Sequence, residues 1–539
     1  MFKRALFVLL AALAAVVLAA CDQSPAPGSG SRSDAPDPAA FSILATSDLR
    51  DAEPLAGLIQ QATGVKVQFF FGGTMESADK VINGKAGADA AWFANAKYVL
   101  SDPRGRSQVK LQDKIMFSPL VIGVSQSEAQ KLGWTGDTKV TWRAIAEAAK
   151  AGRLRYAMNN PASSNQGFMA LMGVAAAFAD KPEALTLADI RKQPIRDFLV
   201  GYKLVGDNSS YLTAKFIEQQ GAAVNAFINY ESWLLSLNRS GKLREPLTLI
   251  YPYEGVATAD YPLLLLNDAK RADYVKVVDY LKGPEAQRWL AENTLRRPFN
   301  PDVAGQVAKL FPTGQLLVEL PFTADRAVAD ALLAAYMNEY RIPIASVFVL
   351  DISGSMAGAG RGKSLIESLY FLAGADDSPT GRLTRLAGRE QVMLLPFSSE
   401  IYPPVRFDIP ADDQARATVF ADIRRYADQL KMGGSTRLYD ATLAALKLLA
   451  SEKEKRPGYM YSVVLFTDGE SNTGLDWAGF QQAYTRLPRL AQEIPVFTIL
   501  YGEGNVRELE KVAELTHGKT FDARQVSLAT VFKEIRAYQ

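Results

Sequence analysis

The chain has 539 residues, of which 48% are hydrophobic and 22% charged, and a formal net charge of +2. Its length suggests about three to four domains, and the near-neutral balance gives no electrostatic case for a nucleic-acid partner. The single cysteine, Cys21, excludes an intrachain disulfide.

Lys3 and Arg4 precede an apolar run from Ala5 to Val17, the layout of a signal peptide. The run is shorter than the roughly 20 residues a bilayer span needs. Leu18-Ala19-Ala20-Cys21 resembles a bacterial lipobox, which implies removal of residues 1–20 and lipid on Cys21. Diacylglycerol plus an amide-linked chain would anchor stably, since one acyl chain does not. The expectation is a membrane-anchored lipoprotein of the cell envelope, on the extracytoplasmic side. Asp22 resembles the inner-membrane retention signal of enterobacterial-type sorting. Residues 21–40, rich in Pro, Ser, Gly and Ala, read as a flexible tether.

Phe41–Ser47 reads as a strand, Leu55–Thr63 as a helix stopped by Gly64, and Val65–Phe71 as a second strand ending at Gly72-Gly73-Thr74. A helix from near Met75 leads to a strand at 88–93. This alternation predicts parallel α/β layers. Phe117–Val124 opens with Ser118-Pro119, which suggests a crossover into a second lobe. Tyr156–Asn160 reads as a strand, and Ser163, Ser164 and Asn165 then precede a long apolar helix whose free N–H groups suit an anion or carbonyl. Together "MFSPLVIGV", "NNPASSNQGF", "YPLLLL" and "AQRWLAENTLRRPFNP" resemble a bacterial extracellular solute-binding protein over residues 41–303. The resemblance implies a two-lobed, periplasmic-binding-protein-like domain of type II that closes on a small ligand. Candidate contacts are Ser47, Thr74, Ser118, Ser164, Asn165 and Tyr230. Each has a plain structural alternative: a serine before a helix caps it, and Ser118 can simply end a helix before Pro119.

Residues 304–343 form a connector. Thr323–Tyr340 reads as an amphipathic helix, with Val328, Leu332, Ala335, Tyr336 and Tyr340 along one side. It is expected to dock on one domain or between the two.

In residues 344–539, predicted strands at Ser346–Leu350, Gln391–Phe397, Tyr461–Thr467 and Val496–Tyr501 alternate with helices near Lys363–Ala373, Asp412–Leu430, Leu438–Ser451, Arg507–Thr516 and Leu528–Tyr538. That order implies a doubly wound, mainly parallel, Rossmann-like sheet. Asp351, Ser353 and Ser355 follow the first strand, Thr436 lies just before a helix, and Asp468 ends another apolar strand. Hard oxygen donors in this number suit a divalent cation. The pattern, DxSxS then Thr then Asp, resembles the metal-ion-dependent adhesion site (MIDAS) of von Willebrand factor A (VWA) domains. That resemblance implies Ser353, Ser355 and Thr436 as neutral ligands, with Asp351 and Asp468 acting directly or through water. It also implies a protein partner that offers an Asp or Glu carboxylate to the ion. Magnesium is expected first; manganese and calcium are alternatives.

Ala357–Ser364 fits a relaxed phosphate-binding loop, but "DISGSM" stands between it and its strand, where such a loop follows at once. The only histidine, His517, lies far from any serine elbow, and no GxSxG occurs, which argues against a His-dependent triad. The reading is a non-enzymatic, lipid-anchored binding protein with an adhesion domain and a small-ligand domain. An ABC-transporter receptor with an accessory VWA domain is the alternative, and an envelope nucleotide-binding protein comes third.

Overall fold

The computed structural model describes residue 37 and residues 39–539, apart from positions 180, 182–184, 192, 207–208, 313–316, 321–324, 377–378, 470, 502–505, 525–530, 533–534 and 537–539. The predicted signal peptide, Cys21, Asp22 and nearly all of the tether lie outside the described residues, as does most of the predicted Leu528–Tyr538 helix.

The N-terminal domain contains β1 (Phe41–Thr46), β2 (Val67–Gly72), β3 (Ala90–Trp92), β4 (Leu111–Lys114), β5 (Met116–Ser125), β6 (Tyr156–Asn159), β7 (Tyr202–Gly206), β8 (Ala226–Tyr230), β9 (Leu247–Ile250), β10 (Thr258–Ala259), β11 (Pro262–Leu265) and β12 (Arg297–Pro298). Four of its helices shape the cleft: α1 (Thr74–Ile82), α2 (Asn165–Phe178), α3 (Ser209–Gln219) and α4 (Glu231–Arg239). The first lobe has sheet order β2-β1-β3-β11-β4 and the second β10-β5-β8-β6-β7. The chain crosses between the lobes from β4 into β5 and returns from β10 into β11. The ten-residue β5 pairs with β12 and β10 near its start and with β8 and β9 near its end. One strand therefore serves as hinge and as core of the second lobe. Helix α2 is buried along nearly its whole length, so its sequence is apolar on all sides instead of on one stripe.

The connector carries α5 (Arg326–Ala335), extended by a π-turn over Tyr336–Tyr340. Val328, Leu332, Ala335, Tyr336 and Tyr340 are all buried in the core of the N-terminal domain, and the Tyr340 hydroxyl donates to the Ile190 carbonyl at 2.5 Å. The apolar stripe is what docks the helix.

The C-terminal domain contains β13 (Ile344–Asp351), β14 (Gln391–Phe397), β15 (Val405–Asp408), β16 (Met460–Thr467), β17 (Val496–Leu500) and β18 (Thr520–Asp522), with α6 (Arg361–Tyr370), α7 (Pro379–Thr384), α8 (Asp413–Asp428), α9 (Leu438–Lys455) and α10 (Val506–Leu515). The order is β15-β14-β13-β16-β17-β18, parallel except for the antiparallel edge strand β15. Side chains alternate across it as a two-residue period requires. Val347 and Val349 face a core with α9, whereas Phe348 and Leu350 face one with α6 and α8. The chain leaves β13 toward β14 on one side and later returns to β16 on the other. The loops after β13 and β16 therefore diverge at a switch point, where open α/β sheets leave a crevice.

Residues 40–539 form one compact unit. The N-terminal domain meets the C-terminal one at the amino ends of the latter's strands. Arg341, just ahead of β13, pairs with Glu390, just ahead of β14, and Arg536 joins the same buried carboxylate. Asn338 accepts from the Gly388 N–H at 2.8 Å and from Arg416 at 2.9 Å. Eight residues of β13 at about 3.3 Å each place this edge roughly 25 Å from the carboxyl edge.

Candidate functional site

At the carboxyl edge the loops after β13 and β16 bring their oxygens into contact. Ser353 Oγ and Ser355 Oγ lie 3.1 Å apart, and Ser355 donates to Asp468 Oδ1 at 3.0 Å. Asp351 is fully buried behind them. Its Oδ1 accepts from the Ser353 N–H at 2.9 Å and its Oδ2 from the Thr467 hydroxyl at 2.6 Å. Burial, the largest influence, pushes its carboxyl up to about 6, against those hydrogen bonds. The third loop, 433–436, is pinned to the first: Gly354 N–H donates to the Gly434 carbonyl at 2.9 Å, and Gly433 N–H to that of Ile352 at 2.7 Å. Gly434 has φ +88°, and a Cβ there would meet Ser399 Oγ at 2.7 Å, so only glycine suits this turn. Thr436 follows, 2% exposed, its N–H held by Asn472 Oδ1 at 2.8 Å.

Among the described residues no three His, Cys, Asp or Glu side chains gather as a metal cluster, so a cation here would be held by the mixed hydroxyl–carboxylate set. Oxygens at adjacent corners of an octahedron with about 2.05 Å bonds sit roughly 2.9 Å apart. The 3.0 and 3.1 Å hydrogen-bonded separations are close to that spacing, so a cation replacing the shared protons would need little movement of these oxygens. Both Asp351 oxygens already accept protein hydrogen bonds, which suits action through water. The Arg361 guanidinium donates to Asp468 Oδ2 at 2.8 Å and to the Ser355 carbonyl at 3.3 Å. Sequence reading missed Arg361, Thr467 and Asn472. The only available hints were that Thr467 adjoins Asp468 and that Asn472 lies in the same polar loop.

Of the relaxed phosphate-loop segment, Arg361 reaches this crevice, while Lys363 turns to its own helix. Residues Gly354–Ala357 form a 3₁₀ turn, and the Lys363 side chain, 78% exposed, points to Glu367 at 3.6 Å on its own helix. His517 lies in the exposed turn between α10 and β18, in the left-handed region at φ +59°.

The second site is a cleft of about 430 Å³ between the lobes. Ser47, Thr74, Ser164, Asn165 and Tyr230 all line it. Asn165 Nδ2 donates to the Tyr230 hydroxyl at 3.0 Å, and burial holds that phenol well above its ordinary range. Ser118 does not line it. Its hydroxyl donates to Ser232 Oγ at 3.0 Å and accepts from the Ser232 N–H at 3.1 Å, inside β5 and fully buried. It therefore holds the first turn of α4, because the pleat at the Ser-Pro step turns it inward. Missed in the sequence were Asn159, Ser209 and Arg50, which also line the cleft.

With this geometry in view, residues 42–295 match the family model of the bacterial extracellular solute-binding protein, and residues 347–534 that of the von Willebrand factor type A domain. The chain thus carries a solute-binding domain of the type II periplasmic-binding-protein class followed by a Rossmann-like VWA domain. Similar solved structures include the sulfate-binding protein SubI from Mycobacterium tuberculosis H37Rv, at 18% identity, TM-score 0.40, covering 51% of this chain and 92% of that one. The periplasmic binding protein AfuA from Actinobacillus pleuropneumoniae, with fructose-6-phosphate bound, is 14% identical at TM-score 0.43, covering 56% and 99%. The ferric binding protein from Campylobacter jejuni is 11% identical at TM-score 0.41, covering 54% and 96%. No curated relative matches the chain by sequence.

Proposed function

We propose that this chain is a non-enzymatic, lipid-anchored extracytoplasmic binding protein. Its VWA domain grips a partner protein at Asp351, Ser353, Ser355, Thr436 and Asp468, and its solute-binding domain takes a small ligand. The observation that carries the reading is the contact of Ser353, Ser355 and Asp468 oxygens from loops 113 residues apart in sequence. They lie at the strand edge facing away from the other domain. A divalent cation, magnesium first, would supply an electrophilic position for one carboxylate oxygen of the partner. The protein's part is to hold the donors at octahedral spacing. Thr467 and the Ser353 N–H orient Asp351, and Asn472 fixes the Thr436 loop. Two carboxylates offset the ion's charge, while neutral hydroxyls fill positions without adding more.

The test is partner recovery from solubilised cell envelope with and without chelator. Recovery should fall with chelator and with Asp351→Ala; a partner retained equally by Asp351→Ala sinks the adhesion role. The cleft favours a second reading, in which the protein hands solute to an ABC permease. A small molecule copurifying with the chain, together with envelope recovery of a permease that is indifferent to chelator, would favour that reading instead.

A further inference from the structure

The ligand cleft is not built by the solute-binding domain alone. Lys519 belongs to the VWA domain, in the turn between α10 and β18, and it is one of the side chains lining the cleft. The VWA domain reaches both lobes around it. Helix α7 packs on α1, whose first residue Thr74 lines the cleft. Tyr211, two residues after the cleft-lining Ser209, packs against the VWA core. Asn160, next to Asn159, donates to the Arg536 carbonyl at 3.3 Å.

The chemistry of the walls has two parts. Helices α1, α2 and α3 all begin at the cleft, with Thr74, Asn165 and Ser209 at or beside their first turns. Helix starts present free N–H groups and a positive dipole end. Lys519 also lines the cavity, with its ammonium 4.9 Å from the centroid of the Phe521 ring. Of the wall carboxylates, Glu76 pairs with Lys80 at 2.7 Å, and burial, the largest influence, raises the Asp48 carboxyl above its ordinary range, which favours its neutral form. The second part is a pair of buried acceptors without hydrogen-bond partners, Asn159 Oδ1 and Asp48 Oδ2. Asn159 is only 2% exposed, and its amide nitrogen is already committed to Ser164 and Ser209. A buried acceptor left without a donor is costly, so these two call for a hydrogen-bond donor on whatever fills the cleft, which on an oxyanion is an O–H.

We propose that Lys519 of the VWA domain is a specificity-determining residue of the solute-binding cleft, where it contacts the negative group of a hydroxyl-bearing oxyanion. This rests on the reading of the cleft as a ligand site and deepens it. One domain thereby completes the binding site of the other, so ligand affinity depends on how the VWA domain is docked.

The test is calorimetric titration of the full chain with inorganic phosphate, which keeps an O–H at neutral pH, and with sulfate, which does not. Wild type should bind phosphate, and sulfate about tenfold more weakly or worse. Lys519→Ala should weaken phosphate by about tenfold or more, as loss of a hydrogen bond from a charged group predicts, and Lys519→Arg should restore most of it. Asn159→Ala should weaken phosphate too, without involving the VWA domain. Phosphate affinity lost in Asn159→Ala but unchanged in Lys519→Ala overturns the role of Lys519 and leaves the cleft reading standing. Sulfate bound as tightly as phosphate, or phosphate not bound by wild type, overturns the hydroxyl-bearing oxyanion. Phosphate bound equally by wild type, Asn159→Ala and Lys519→Ala overturns the cleft as its site.

Discussion

Asp351→Asn separates the burial of a carboxylate from its use at the proposed cation site. Burial raises the Asp351 carboxyl from its ordinary 3.8 to about 6. At about 1.36 kcal/mol per pH unit, that gap corresponds to roughly 3 kcal/mol. Between those two pH values the folded chain keeps a proton that the unfolded chain has lost. This contribution to stability is therefore fully present below about pH 4, falls as pH rises, and is gone above about pH 6. Asparagine has no charge to bury. Its single amide oxygen can accept from only one of the Ser353 N–H and the Thr467 hydroxyl, a loss of about 1 kcal/mol. In chelator at pH 7.5, Asp351→Asn should therefore stabilise the VWA domain by about 1–2 kcal/mol, and near pH 4 the advantage should vanish or reverse. Saturating magnesium should invert the ranking. Wild type gains about 2.7 kcal/mol when the ion is present at a hundred times its dissociation constant, whereas the variant gains little. Urea unfolding of the full chain, followed in EDTA and in magnesium at pH 4.5, 6 and 7.5, reads all of this. A variant less stable than wild type in EDTA at every pH, by a margin magnesium does not alter, refutes the reasoning.

Arg361 competes for the same carboxylate that a cation needs, since its guanidinium sits on Asp468 at 2.8 Å while 24% exposed. Removing a partly exposed pair of this kind releases about 1 kcal/mol or less, so Arg361→Ala should tighten magnesium binding by up to roughly fivefold in calorimetry; unchanged or weaker binding would count against that competition. At the domain junction, Glu390 is the shared carboxylate of Arg341 and Arg536, and burial holds both guanidinium groups down to about 9. Glu390→Gln should destabilise the junction by about 3–5 kcal/mol, the range for breaking a buried ion pair. Limited proteolysis near the connector should then proceed faster, and identical cleavage rates would show the triad to be dispensable.

Much of the candidate site was legible because most of its oxygen donors are local. Asp351, Ser353 and Ser355 share one loop, and Asp468 follows a short apolar run, rich in β-branched and aromatic residues, that reads as a buried strand. Thr467 and Arg361 were not legible as parts of it, since each acts on a residue supplied by a different strand end. The same limit explains Ser118. A serine before a proline reads alike whether it faces a cleft or caps a neighbouring helix, and only the position of Ser232 across the fold separates the two. The short strands β10 and β12, two residues each, and the edge strand β15 carry too little pattern to announce themselves, because their partners lie elsewhere in the chain.

Periodicity and loop chemistry alone determined that this chain holds two α/β domains in series, the second with oxygen donors at its strand ends. Those properties depend on neighbours within a few positions, and the backbone repeats of helix and strand write them directly into residue order. Tertiary structure decided which serines look into the cleft, which strand edge meets the other domain, and that Lys519 and Asn159 line one cavity. Such meetings depend on how whole layers bury their apolar faces against one another, a balance summed over the entire chain, and no local stretch records its outcome.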